Sequence, residues 1–175
     1  VGGGMRAIYG AGVFDYCLDN NITFDYCAGV SAGSANLASY LAGQRGRNYI
    51  FYTQYAFRRE YMSIHNFLHG GSYIDLDYVY GTLSVANGEN PLNYQVLARS
   101  KCEFLVVATD ARTGKPVYFN KSELKQDNYD ILKASSCVPV ACKPYFVGEI
   151  PCYDGGISDP IPLDKLFSAG CDKVV

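Results

Sequence analysis

Twice near its start this chain runs from a strand into a glycine-rich turn and straight out into a helix, and that arrangement restricts the fold more than any other feature. Val1 reads as the last residue of a strand, Gly2-Gly3-Gly4 as a turn, and Met5 to Asn20 as a helix with apolar residues at Ile8, Tyr9, Val13, Phe14, Cys17 and Leu18. Asp25-Tyr26-Cys27-Ala28 then reads as a short strand, Gly29-Val30-Ser31-Ala32-Gly33 as a tight turn, and the small residues from Ser31 to Leu41 as a second helix. Further on, Phe104-Leu105-Val106-Val107-Ala108 is an unbroken apolar run, as a strand buried on both faces requires. Thr113-Gly114-Lys115 turns it into Val117-Tyr118-Phe119, Asn128 to Ser136 reads as a helix stopped before Pro139, and Tyr145-Phe146-Val147 and Ile150-Pro151-Cys152-Tyr153 read as strands around Gly148-Glu149. Between these halves, Tyr49 to Met62 is expected to be an aromatic-rich helix, and His65 to Asn90, broken by Gly70-Gly71, Gly81 and Gly88, a loop-rich stretch with short helical pieces. The alternation predicts an α/β fold: three αβα layers around a mostly parallel central sheet.

A chain of 175 residues fits one domain, and 49% hydrophobic residues supply enough apolar material for its core. Fifteen basic residues face seventeen acidic ones, with no basic block, so nucleic acid is not an expected partner. The cysteines at positions 17, 27, 102, 137, 142, 152 and 171 include no C-x-x-C pair, which favours reduced, mostly buried thiols over a disulfide framework or a zinc site. No apolar run approaches the roughly 20 residues that span a bilayer, and the expectation is a soluble cytoplasmic protein. Both ends read as cut, at Val1 before the glycines and at Asp172-Lys173-Val174-Val175, which resembles the opening of a strand.

Three short motifs carry chemistry. Gly29-Val30-Ser31-Ala32-Gly33 is a G-x-S-x-G between strand and helix, where small neighbours let the chain turn sharply and project the serine oxygen toward the positive end of a helix. Gly2-Gly3-Gly4-Met5-Arg6-Ala7 has two chemical readings. It fits the dinucleotide fingerprint, with Asp19 and Asp25 near the ribose-binding offset, and it fits a glycine loop whose backbone N–H groups receive a developing oxyanion. A plain tight turn is the third reading. The nearby serine elbow favours the oxyanion loop, because a dinucleotide domain has no use for a nucleophile after its next strand. Asp154-Gly155-Gly156 places a carboxylate at a strand end, followed by glycines that let the backbone approach closely. Alone it reads as a common turn; with the other two motifs it becomes the missing base.

Together the Gly2–Arg6 loop (G-G-G-x-R), the elbow around Ser31 one βαβ unit later, and the D-G-G at Asp154 resemble the patatin-like phospholipase family, most closely its bacterial branch. The resemblance runs from Gly2 to Asp159 and extends to Ala134-Ser135-Ser136-Cys137-Val138-Pro139 and to Ala108-Thr109-Asp110 with Thr113-Gly114. It implies a patatin-like fold and the hydrolysis of lipid or small esters without metal or cofactor. It also implies that Ser31 is the nucleophile, Asp154 its sole catalytic partner, and the N–H groups of Gly2, Gly3, Gly4 and Met5 the oxyanion hole. Gly29, Gly33, Gly155 and Gly156 are then the motif glycines, and Arg6 supports the loop or attracts a lipid phosphate. Ala7 stands where the family usually has another glycine, a change expected to touch packing only. The family's sheet continues past the position of Val175, so the chain resembles a catalytic core without its C-terminal part.

Two other classes remain in view. A Ser-His-Asp hydrolase needs a histidine after the acid, and His65 and His69 both precede Asp154, so its histidine would lie beyond Val175. At i and i+4 those histidines could share a helix face and bind metal, but no third ligand is evident, and a surface or packing role is expected. The aromatic residues Tyr49, Phe51, Tyr52, Tyr55, Phe57 and Tyr61 would pack on the sheet, border an acyl groove or make transient contact with a membrane surface. A non-catalytic or nucleotide-binding α/β module is the remaining alternative, and loss of ester hydrolysis in Ser31→Ala separates it from an enzyme.

Overall fold

In the computed structural model, which describes residues 1–69 and 71–175, the N-terminal glycines enter a 3-10 turn, Gly4–Ala7, that continues as α1 (Ile8–Asp19). Val1 to Gly3 form no strand. β1 (Tyr26–Val30) leads through Ser31 into α2 (Ala32–Leu41), whose small residues bury nearly the whole helix against the sheet. Here the expected boundaries hold to within two residues.

The aromatic stretch behaves differently. α3 (Arg47–Thr53) ends early, a short 3-10 turn covers Tyr55–Phe57, and Arg58 is extended. The backbone leaves helical geometry at Gln54, and beyond it Arg58 donates to both carboxylate oxygens of Glu89, at 2.8 and 2.9 Å, and to the Tyr78 hydroxyl at 3.0 Å. Tyr61 meets Phe51 edge-on, with ring centroids 5.5 Å apart. The glycine-punctuated stretch holds short pieces, as expected: α4 (Ile64–Leu68) and a π-helical turn at Tyr78–Leu83. Gly70 lies outside the described residues. α5 (Tyr94–Arg99) follows, with Asn93 accepting from the Val96 N–H as its N-cap.

β2 (Glu103–Asp110) is buried from Phe104 to Thr109. It pairs parallel with β1 and antiparallel with β3 (Pro116–Asn120). α6 (Asp130–Ser135) packs against β2, and β4 (Tyr145–Val147) and β5 (Ile150–Asp154) form a hairpin that joins β2 antiparallel. α7 (Leu163–Ser168) lies near the end. The α/β class is as expected, but the sheet is mixed: among the described strands only β1 and β2 pair in parallel. Connection length decides this. The crossover from β1 to β2 is long and helical, whereas β3 follows β2 after a short turn at Gly114, and β5 follows β4 after two residues, which permits only antiparallel pairing.

Ala7 packs with Ala11 and Tyr52 in a small buried cluster, and its carbonyl accepts from Asn36 Nδ2 at 2.7 Å. Six cysteines are buried, Cys171 is partly exposed, and all seven are free thiols. No described helix is long and apolar enough to cross a membrane.

Candidate active site

Val107 and Ala108 of β2 each pair with β3 on one flank, through Tyr118 and Val117. On the other flank Val107 pairs with Val30, the last residue of β1, and Ala108 with Asp154, the last residue of β5. The two strands therefore run along the same edge of β2 from opposite directions and meet end to end. Whatever follows Val30 must face whatever ends β5, and the pair so placed is Ser31 and Asp154, each 8% exposed.

Ser31 adopts φ 55° and ψ −134°, backbone angles rare for a residue with a side chain, so the elbow stores strain that its surroundings must hold. Several bonds do so. The Ser31 N–H donates to Ser135 Oγ at 2.8 Å, and that hydroxyl donates to the Val107 carbonyl at 2.6 Å. The Ser31 carbonyl accepts from the Ser34 N–H at 2.9 Å and from Ser34 Oγ at 2.6 Å. Asp154 is fixed as firmly: its N–H donates to the Cys137 carbonyl at 2.8 Å, its carbonyl accepts from Thr109 Oγ1 at 2.8 Å, and its Oδ1 accepts from the Gly156 N–H at 2.8 Å. Burial pushes the Asp154 carboxyl up, while the nearby Ser31 side chain and the hydrogen bond from the Gly156 N–H pull it back down.

The glycine loop closes over this pair. A Cβ on Gly2 would sit 2.6 Å from Ser31 Cβ and 3.3 Å from Ser31 Oγ, so no other residue allows the loop this close to the serine oxygen. Gly3 and Gly4 take φ of 136° and 55°, left-handed turns that aim the chain into α1. Among the described residues none of the N–H groups of Gly2, Gly3, Gly4 and Met5 donates to a protein acceptor. Such a row of free donors beside a hydroxyl can receive an oxyanion. Gly29 and Gly33 permit close approach to Ser34 and to the Val1 backbone, and a Cβ on Gly155 would collide with the Val107 carbonyl. The Arg6 N–H closes the loop onto the Gly3 carbonyl at 3.1 Å, while its exposed side chain borders a neighbouring cavity with Tyr9 and Tyr26, not the one that holds Ser31.

Ser31 opens into a cavity of about 110 Å³ lined by Met5, Phe51, Leu76, Val79, Leu83 and Val138, with Arg47, Asn48 and Asn90 as its polar wall. Tyr52, Tyr61 and Tyr80 also border it, so part of the aromatic stretch is cavity lining, whereas Tyr49 and Phe57 are exposed. His65 and His69 stack on each other, ring centroids 4.1 Å apart, beside a different cavity with Asp75 and Lys143. No group of three or more histidine, cysteine or acidic residues suited to a metal is found among the described residues.

A family model of patatin-like phospholipases matches residues 2–167. The chain belongs to the patatin-like phospholipase family. That is a family of lipid hydrolases. It is also similar to the uncharacterized protein YjjU of Escherichia coli (strain K12), 32% identical over an alignment of 179 positions that spans 99% of this chain and 49% of that protein. The chain thus spans about half the length of that relative. Ser135, Thr109 and the Cys137 carbonyl, which hold the two site residues in place, lie within segments whose likeness to patatin-like signatures is legible in sequence. Their roles are not, because each acts through a bond spanning a long stretch of chain. Arg47 carries no sequence signal at all.

Proposed function

We propose that this chain is a serine acyl hydrolase that cleaves lipid ester bonds with a Ser31–Asp154 dyad, residues 1–175 acting as one catalytic domain. The observation that carries the reading is the end-to-end meeting of β1 and β5 on β2, which sets a strained serine against a buried carboxylate beside unpartnered backbone donors. In this mechanism Ser31 Oγ attacks the ester carbonyl as its proton passes to Asp154. The N–H groups of Gly3 and Gly4, with those of Gly2 and Met5, stabilise the oxyanion. As the tetrahedral intermediate collapses, the alcohol takes the proton from Asp154 and leaves an ester on Ser31. Water then attacks that ester, Asp154 accepts a proton again, and the acid departs with Ser31 restored. Burial supports the assignment of Asp154 as base, since it makes this carboxyl a stronger base than an exposed one.

A fluorophosphonate probe should label the wild type on Ser31 and leave Ser31→Ala unlabelled, with hydrolysis of a lipid and 4-nitrophenyl ester panel lost in the same variant. An adduct mapped by mass spectrometry to another residue would overturn the assignment.

A further inference from the structure

Arg47 makes the cavity beside Ser31 something other than a slot for hydrocarbon. It opens α3 and lines the cavity together with Phe51, Val79, Tyr80 and Leu83. Its Nε donates to the Pro91 carbonyl at 3.3 Å, Nη1 to Ser39 Oγ at 2.9 Å, and Nη2 to Ser84 Oγ and the Asn90 carbonyl, each at 2.8 Å. All of these acceptors are neutral. Since a guanidinium carries five N–H groups, one on Nη1 is left over.

Arg45, Arg58 and Arg112 each meet a carboxylate, Asp19, Glu89 and Asp110 respectively, whereas Arg47 has no carboxylate partner among the described residues. The ionisable groups that bear on it are the phenols of Tyr80 and Tyr129, which burial pushes up and so keeps neutral at pH 7. Burial brings the guanidinium down to about 10, so it is still charged at neutral pH. A half-buried cation whose protein partners are all neutral is an unbalanced charge, and an anion entering the cavity relieves it.

Size narrows the occupant. A cavity of about 110 Å³ holds a few heavy atoms, where pockets that enclose drug-sized ligands run to roughly 300–1,000 Å³. A long acyl chain is not housed there, but a carboxylate or phosphate on a short stem is.

We propose that this cavity is an anion subsite in which Arg47 receives a carboxylate or phosphate carried by the ester substrate within a few bonds of the scissile carbonyl. The proposal rests on the acyl-hydrolase reading and narrows its substrates to anionic esters. The anion has two possible sources, the far end of a short acyl group or the alcohol side of a glycerol phosphate ester.

Two substrate pairs separate the sources: 4-nitrophenyl hemiglutarate against 4-nitrophenyl pentanoate, and 1-butyryl-glycerol 3-phosphate against 1-butyrylglycerol. In at least one pair the wild type should favour the anionic member by about tenfold or more in kcat/KM, the size of one charge-assisted hydrogen bond. Arg47→Gln should bring that ratio toward one, and Arg47→Lys should retain part of it. A merely structural arginine would lower both members alike. In the Ser31→Ala protein, calorimetry should detect glutarate or glycerol 3-phosphate binding that Arg47→Gln abolishes. Ser31-dependent turnover without anionic preference, together with no binding of either probe, sinks the subsite and leaves the hydrolase standing. Binding through Arg47 with no ester turned over sinks the hydrolase and leaves the subsite. Should Arg47→Gln not fold, the wild-type ratios and the binding to Ser31→Ala decide on their own.

Discussion

Asp154 combines two opposed requirements, burial enough to make it a base and hydrogen bonds enough to hold it in place. An aspartate near its reference pKa of about 3.9 is a weak proton acceptor, so the desolvation that raises this carboxyl is useful chemistry at a structural cost. Asp154→Asn keeps the shape and an oxygen for the Gly156 N–H but cannot take a proton. It should lower kcat by about three orders of magnitude, and adding Ser31→Ala should cost little further, because the two act as a unit. Steady-state kinetics of the single and double variants check this, and near-normal turnover in Asp154→Asn removes the dyad. The structural cost gives a second, independent expectation. A carboxyl raised in the folded state contributes stability that is full below its unfolded pKa and is lost as pH rises through its folded pKa. At pH 7 the ionised form is therefore a burden, so Asp154→Asn should melt at or above the wild-type temperature there, with the advantage shrinking as pH falls into the carboxyl's own range. Thermal melts at pH 7 and near pH 4 read this out, and a variant that melts lower at pH 7 contradicts it.

At the scale of elements, the elbow depends on α6 as much as on the strand and helix that flank it. Ser135 at the end of α6 accepts from the Ser31 N–H and donates to β2 at Val107, so one hydroxyl ties helix, sheet and nucleophile together. Ser135→Ala leaves the Ser31 N–H and the Val107 carbonyl without that partner in a buried place, a loss of about 1–3 kcal/mol. The same change frees the strained serine, so fluorophosphonate labelling should slow along with the drop in urea midpoint. Lost stability with an unchanged labelling rate would mean that Ser135 supports the fold and not the elbow. None of this is visible in local sequence. The strand-to-helix switch at Gly29–Gly33 is legible because its signals are local: a short strand, small residues and a new period. The end of α3 at Thr53 is not: the backbone leaves helical geometry at Gln54, and Arg58 beyond it pairs with Glu89 and Tyr78, far along the chain. Mixed pairing in the sheet was open to inference from the short links at Gly114 and Gly148-Glu149, but the continuous apolar run of β2 says only that both its faces are covered, not which way its neighbours run.

Over the whole molecule, the candidate site is assembled from segments more than a hundred residues apart that β2 brings together, and the histidines take no part in that junction. His65 and His69 are exposed, stack on each other and line a cavity that does not include Ser31 among its described residues. If Asp154 alone takes the proton, kcat/KM should rise with pH along a single acid limb as that carboxyl ionises and then level off. Burial displaces the midpoint upward from the ordinary aspartate range, so the limb is assigned by which replacement removes it, that of the carboxylate or that of the imidazoles. Mutation separates the two. Replacing both His65 and His69 with glutamine should leave kcat within about threefold and the acid limb in place, because neither imidazole is within the Ser31 junction to receive a proton. In Asp154→Asn the limb should vanish from whatever activity is left. A folded histidine double variant that is inactive, or that loses the limb while Asp154 is intact, would transfer the base to an imidazole and replace the dyad with a triad.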